Sequence, residues 1–323
     1  MSWFEYILDN SDRGWSWYAI SSNPNLTWPD IRDHPEFPWD SWGITANPNI
    51  TWEIIQAHPE FPWHPQGVSA NPNITWDIIQ AHPEIPWDWG WLSCHPNITW
   101  NIIQAHPDKP WDWKGISANP NITWDIIQAH PDKFTDWFHI SRNPSLTWEV
   151  IKANPDKRWY WDQILNNPNI TWEAIQANLD KFTEPYRYWY SISKHPNVTW
   201  EIIQANPDLP WNWHGISENP NVTWEIIQAN PHIPWGQYTN MFSANPNVTW
   251  KIVDENPDVY WCLFRLASNA MSKDPVFQTR AVEKKRVQER CAAIKEDLMA
   301  AAWHPQRIET LVEKYGQEIL EVI

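Results

Sequence analysis

The sequence predicts an all-α fold: an α-solenoid of about ten 24-residue helix–turn–short-helix repeats, followed by a C-terminal helix pair. Three observations carry this prediction. A Thr-Trp pair returns ten times, its threonines at 27, 51, 75, 99, 123, 147, 171, 199, 223 and 249, so that successive spacings are 24 six times and then 28, 24 and 26. Each pair opens an apolar run with helical spacing that a proline such as Pro59 ends after about two turns. Helices this short do not persist alone in water, so each unit must draw its stability from its neighbours, as repeat arrays do.

Within the unit TWEIIQAHPEFPWHPQGVSANPNI (51–74) every recurring position has a mechanical role. Thr51 reads as a helix N-cap. The same role falls to Thr27, Thr75, Thr99, Thr123, Thr147, Thr171, Thr199, Thr223 and Thr249. Removing one such cap, as in Thr123→Val, is expected to destabilise the array by roughly 0.5–2 kcal/mol. Glu53 complements the positive end of the helix dipole, and Ile50 with Ile55 is spaced as a hydrophobic staple. The first helix then covers Trp52 to Ala57. The second half, Pro62 to Ala70 here and Pro110 to Ala118 two units on, supports another short helix or 3₁₀ segment with fixed apolar points such as Trp111 and Ile116. Asn119-Pro120-Asn121 turns the chain into the next unit, asparagine being tolerant of turn geometry.

Along the chain, residues 1–26 read as a degenerate N-terminal capping repeat: Ser2-Trp3 echoes Thr-Trp, and Trp15 to Pro24 reproduces a second half. Ten repeats fill 27–272. At helix-layer spacings of roughly 8–10 Å they imply a rod or arc on the order of 90 Å. Units five and seven carry Phe134-Thr135 and Phe182-Thr183 where others have tryptophan. Two units are longer (171–198 and 223–248), and insertions in solenoids map to loops that often lie on a binding face. The insertion around Tyr186, Arg187, Tyr188, Trp189 and Tyr190 has the composition favoured at interfaces, although aromatics are core material throughout this chain. Residues 273–323 form a C-terminal helical cap or docking segment: one helix from Asp274-Pro275 to about Ala302, another from about Gln306 to Val322.

The thirty tryptophans supply apolar area to units too small to build a core otherwise. The formal charge of −16 resides wholly in residues 1–272, because the tail balances nine basic against nine acidic residues. A solvated surface and a preference for a basic partner both account for it. Such an array lacks the clustered cations that nucleic-acid backbones demand, and no apolar run approaches a membrane span. Cys94, Cys262 and Cys291 are few and far apart, which points to a reducing compartment. The N-terminus lacks the features of a signal peptide, so the expected location is intracellular and not secreted. The sequons at nine of the ten caps are then explained by turn and cap geometry alone.

No catalytic motif is present: there is no Gly-rich phosphate loop, no GxSxG and no HExxH. The expectation is a non-enzyme without cofactor or metal. A histidine column at His34, His58, His82, His106 and His130 is too widely spaced to share a zinc. Asn154, Asn178, Asn206, Asn230 and Asn256 take the same position later, which favours a structural role.

The recurring NPN(I/V)TWEIIQANPDKPWDW pattern, as in Asn97 to Trp113 and Asn197 to Pro210, resembles the tryptophan-rich repeat proteins of giant DNA viruses over about residues 1–270. The tail around Trp303-His304-Pro305 is similar to a C-terminal segment of other proteins of such viruses. The unit itself is similar to leucine-rich-repeat variants that pair an α-helix with a 3₁₀-like element. The resemblance implies a viral source, hence host cytoplasm or virion, and a non-enzymatic role. The function expected is a scaffold for protein–protein interaction, recognising its partner through residues that vary between units, such as Lys109, Lys114, Phe138, Arg142, His214 and Glu218. The alternative is a self-associating structural component of a virion.

Overall fold

The structure, a computed structural model, describes residues 3–274 apart from 183, 234 and 236–238; for 185, 186 and 239 it describes the backbone alone. Among the described residues there are twenty-two α-helices, two 3₁₀ turns and no strand, arranged as a helical repeat solenoid. The chain divides into two units, one of them Trp3–Met271 and the other beginning at Ser272. The expected C-terminal helix pair lies outside the described residues.

Each repeat contributes two helices. The first follows Thr-Trp, as in Trp52–Ala57, Trp76–Ala81 and Trp100–Ala105. The second is shorter than the predicted Pro110–Ala118: it runs Trp113–Ala118, with Asp112 as its N-cap, and Pro110-Trp111 precede the helix. Asp40, Asp88, Asp136 and Asn212 do the same in other units, each accepting backbone N–H bonds from the first turn.

The two layers are spaced differently. Neighbouring second helices approach one another backbone to backbone, whereas neighbouring first helices stay apart and meet through side chains. Small residues permit the close approach. A Cβ on Gly67 would stand 2.8 Å from Thr45 Cβ, one on Gly115 2.9 Å from Ser93 Cβ, and one on Gly215 would collide with the Tyr190 carbonyl. Large rings hold the first helices apart. Trp76 meets His106 at 4.7 Å and Trp111 at 5.9 Å, and Trp28 meets His58 and Trp63 at 4.7 and 5.5 Å. A layer narrow on one side and wide on the other must curve, with the second helices on the concave side.

The curvature brings the array back to its start. Between ordinary neighbours, a buried asparagine at the end of each second helix donates to carbonyls of the preceding unit. Asn119 Nδ2 reaches the Ser93, His95 and Ile98 oxygens at 2.9–3.1 Å, and Asn47 reaches those of Ser21 and Asn23 at 3.2 and 2.9 Å. Where the position is histidine, Nε2 of His95 donates to Asn71 O and that of His195 to Asn167 O. The same bond crosses from the N-terminal unit to the last repeat: Asn23 Nδ2 donates to Ala267 O at 2.7 Å and Asn269 O at 3.1 Å. Asn25 Nδ2 reaches Ala270 O at 2.9 Å, just as Asn49 reaches Pro24 O. Tyr6 stacks on Trp250 at 3.8 Å, and its hydroxyl donates to Asp254 at 2.6 Å. Residues 3–271 therefore form a closed ring of eleven layers, each turned about 33° from the last.

This corrects two expectations. The array is not an open rod or arc, because tapered packing bends it through a full circle. The N-terminal segment does not shield an exposed end. It is an eleventh repeat that packs on the tenth, and Phe4, one residue beyond Trp3, takes the Thr-Trp ring position, meeting His34 at 5.4 Å and Trp39 at 5.8 Å. A third difference concerns the long unit 171–198. Its extra residues build no loop; they lengthen the second helix to Pro185–Lys194, ten residues against six in Trp213–Glu218.

Candidate functional site: the concave face of the ring

Second helices bury one stripe against the outer layer and leave the opposite one to solvent. The buried stripe is almost constant: Ile20, Ile44, Val68, Leu92, Ile116, Ile140, Ile164, Ile192, Ile216 and Leu266, mostly followed by a buried serine or threonine. The opposite stripe falls at i and i+4, one helical turn apart, in pairs such as Lys114 and Ala118, Phe138 and Arg142, and Tyr190 and Lys194; in the pair His214 and Glu218 the glutamate is buried by its partners on the same face. In a ring this stripe faces the lumen. Two contacts confirm the geometry, because side chains that skip an intervening helix can meet only on a concave surface. Trp42 and Trp91 have ring centroids 6.1 Å apart across helix Pro65–Ala70. Arg265 reaches Glu218 at 2.6 Å across helix Thr239–Phe242. Eleven second helices spaced at roughly 8–10 Å, each about 5 Å in radius, enclose a lumen on the order of 20 Å across before side chains are counted.

The concave face contrasts with the rest of the molecule in chemistry. First helices repeat WEIIQA or a close variant and carry exposed acids such as Glu53, Asp77, Glu201 and Glu225. On the concave positions of the second helices the charged residues are Lys114, Arg142, Lys194 and Arg265 against Asp162 and Glu218, a cationic balance in a chain of net charge −16. Exposed aromatics also gather there: Tyr18, Trp91, Phe138 and Phe264.

One cluster is fully paired. Glu218 is buried and accepts from Tyr190 Oη at 2.7 Å, Lys194 Nζ at 3.0 Å and Arg265 Nη1. Burial alone would raise its pKa, but the tyrosine hydroxyl and the two cations outweigh it and hold the carboxyl below the usual range. A different sector carries a cavity of about 630 Å³, lined by Lys114, Lys133 and Arg158 and by Asp112 and Asp136, with Trp113, Trp137 and Tyr160 among its walls.

The sequence-predicted residues are distributed as follows. Lys114, Phe138, Arg142, His214 and Glu218 all lie on the concave stripe. Lys109 does not; it pairs with Asp108 at 3.5 Å on the loop between helices. Of the tyrosine-rich stretch, Trp189 is buried, its indole donating to Phe182 O and its edge against Trp211, so it is core. Tyr190 is engaged with Glu218. Tyr188 packs edge-on against Phe182, and Arg187 stands 5.2 Å from the Tyr188 ring and 4.0 Å from Asp162. The side chain of Tyr186 lies outside the described residues. The four described side chains, Arg187 to Tyr190, do not form one exposed patch, because successive helical positions point in different directions.

All ten predicted threonines occupy N-cap positions with extended backbone. The hydroxyls of Thr51, Thr75, Thr171, Thr199 and Thr249 accept a backbone N–H at 3.2–3.4 Å. Thr99, Thr123, Thr147 and Thr223 make no such bond. Thr27 instead donates to Asp30 at 2.6 Å, and Thr147 and Thr223 bond to Glu149 and Glu225. The expectation of a capping hydroxyl at every position is thus corrected: five of the ten accept a first-turn N–H and the others do not.

At the histidine column the working atom is the backbone carbonyl. The indoles of Trp39, Trp63, Trp87 and Trp111 donate to the oxygens of His34, His58, His82 and His106 at 2.8–2.9 Å, and Trp159 does the same to Asn154. Among the described residues no group of three or more His, Cys, Asp or Glu is placed to hold a metal ion, and no helix is long and apolar enough to cross a membrane. Sequence reasoning missed the inter-unit role of Asn119 and its counterparts. The signal available was the exchange of Asn for His at 95 and 195, two side chains that share a planar N–H donor. No protein-family description, curated protein or solved structure matches the chain.

Proposed function

We propose that this chain is a non-enzymatic ring scaffold that holds a protein partner against its concave face. The observation that carries the reading is the placement of variation. The outer helices and the inter-unit ladder are nearly constant, while the residues that differ from unit to unit converge on the lumen together with exposed Tyr18, Trp91, Phe138 and Phe264. Exposed aromatics beside cations have the composition of binding surfaces. The likeness to giant-virus repeat proteins suggests an infected host cell or a virion as the setting. The alternative, a self-associating structural component, is weakened by closure. An open solenoid offers two end units for stacking, whereas residues 3–271 use theirs on each other. The constant acidic outer surface also opposes lateral packing at low salt.

A photo-crosslinking amino acid at Phe138, in the full chain expressed in its natural setting, tests the reading. The expected result is one dominant heterologous adduct, absent when the crosslinker is placed on the outer helix at Lys251. Adducts formed only between copies of this chain would replace the scaffold reading with the self-associating one.

A further inference from the structure

Resting on the scaffold reading, we infer that the groove where the second helices of units four to six begin, beside the concave stripe, takes an acidic segment of the partner protein. Three cations of successive units line it, Lys114 at the start of a second helix and Lys133 and Arg158 on the loops between helices, while Arg142 lies on the neighbouring concave stripe. Among the described residues none of them forms an ion pair, whereas adjacent Lys157 is held by Asp156 at 3.1 Å. Here cations without an ion pair coincide with a cavity of about 630 Å³ and with exposed aromatic surface. Lys114, Lys133 and Arg158 line that cavity. Lys133 Nζ stands 4.6 Å from the Trp113 ring. Trp91, Phe138 and Tyr160 are 42%, 37% and 37% exposed.

The two carboxylates in the cavity wall keep their charge and are fixed at the helix starts they cap, so the three lining cations exceed them by one. Asp112 accepts from the N–H groups of Lys114 and Gly115, and Asp136 from that of His139 while also meeting its ring at 3.1 Å. Their presence selects the ligand. A compact multivalent anion would be pressed against Asp112 and Asp136. An extended chain can set its carboxylates beside the cations, lay apolar side chains on the indoles, and pass the two aspartates at a distance. Three units at roughly 8–10 Å each match an extended segment of about six to eight residues. The outer acids would repel such a segment everywhere else, so charge alone directs it to this sector.

Fluorescence anisotropy on the full chain tests this with a fluorescein-labelled hexapeptide of alternating glutamate and phenylalanine, and a lysine–phenylalanine peptide as comparison. The acidic probe should bind at least tenfold more tightly, and more weakly as salt rises. Arg142→Glu combined with Arg158→Glu should reduce its affinity at least tenfold with an unchanged circular dichroism spectrum, while Lys251→Glu leaves it unchanged. Equal binding of both probes, or indifference to the charge reversal, overturns the inference. So does displacement by inorganic pyrophosphate at lower concentration than by unlabelled peptide, which would assign the cavity to a compact anion. The crosslinking experiment separates the two readings: if the charge-reversed chain still captures the same partner through Phe138, the scaffold stands and the acidic segment falls. If the probe binds as expected but the wild-type chain captures no partner, the scaffold reading falls instead.

Discussion

Replacing Asn23 with alanine measures ring closure directly. Asn23 is 1% exposed; its Nδ2 donates to Ala267 O and Asn269 O across the seam, and its Oδ1 accepts from Asn25 N at 2.9 Å. At about 0.5–1.5 kcal/mol net per bond, with two buried carbonyls left without this donor, the loss comes to about 2–4 kcal/mol. Asn119→Ala, deep within the array, removes three inter-unit bonds and the equivalent turn bond, and serves as the internal standard. In a closed ring the two substitutions have comparable effects. In an open array the seam partners of Asn23 would be water, and only the turn bond to Asn25 would be lost, about 1 kcal/mol or less. Urea unfolding followed by tryptophan fluorescence reads the difference as a shift in midpoint, provided the slope is unchanged. A loss under about 0.5 kcal/mol at Asn23 beside a full loss at Asn119 would refute closure.

Three further expectations follow from the same packing. Gly215→Ala drives a methyl against the Tyr190 carbonyl and should lower stability by about 1–3 kcal/mol, read as a drop in Tm, because backbone cannot yield as a side chain can. His95 and His195 are held neutral by burial, which pushes each pKa below its ordinary 6.5; each keeps its proton on Nε2 and accepts at Nδ1 from the N–H of Asn97 or Asn197. The unfolded chain therefore binds more protons as pH falls through 6.5, and stability should decline between pH 7 and 5; His95→Asn with His195→Asn should flatten that decline, and an unaltered profile would count against it. Thr51→Val should destabilise by about 0.5–1 kcal/mol, while Thr123→Val, which removes no capping bond, should stay within about 0.5 kcal/mol; equal losses in thermal melts would mean that the threonines act through something other than the cap.

The local features were legible in the sequence because they depend on neighbours a few residues apart. Trp52–Ala57 was predicted to the residue, since cap, staple and terminating proline are adjacent in the chain. The concave residues were visible only as variation: Lys114, Phe138, Arg142, His214 and Glu218 differ between units, yet nothing in their spacing said that they share a lumen. The tyrosine-rich stretch misled for the converse reason. Composition marked it as a surface, but an insertion of four residues is close to one helical turn, which returns Trp189 to the core register.

By itself the sequence determined the unit, its two short helices, the asparagine turns and the need to stack. Only the tertiary structure decided that the stack closes. Closure is the sum of small rotations between layers, and each rotation is set by how closely Gly67 meets Thr45 or Gly115 meets Ser93 on the inside, and by how far Trp76 and His106 hold the helices apart outside. Small differences in the rotation per layer separate an open superhelix from a ring. The repeat motif is the same in both, so the distinction rests on distances between units that no single unit contains.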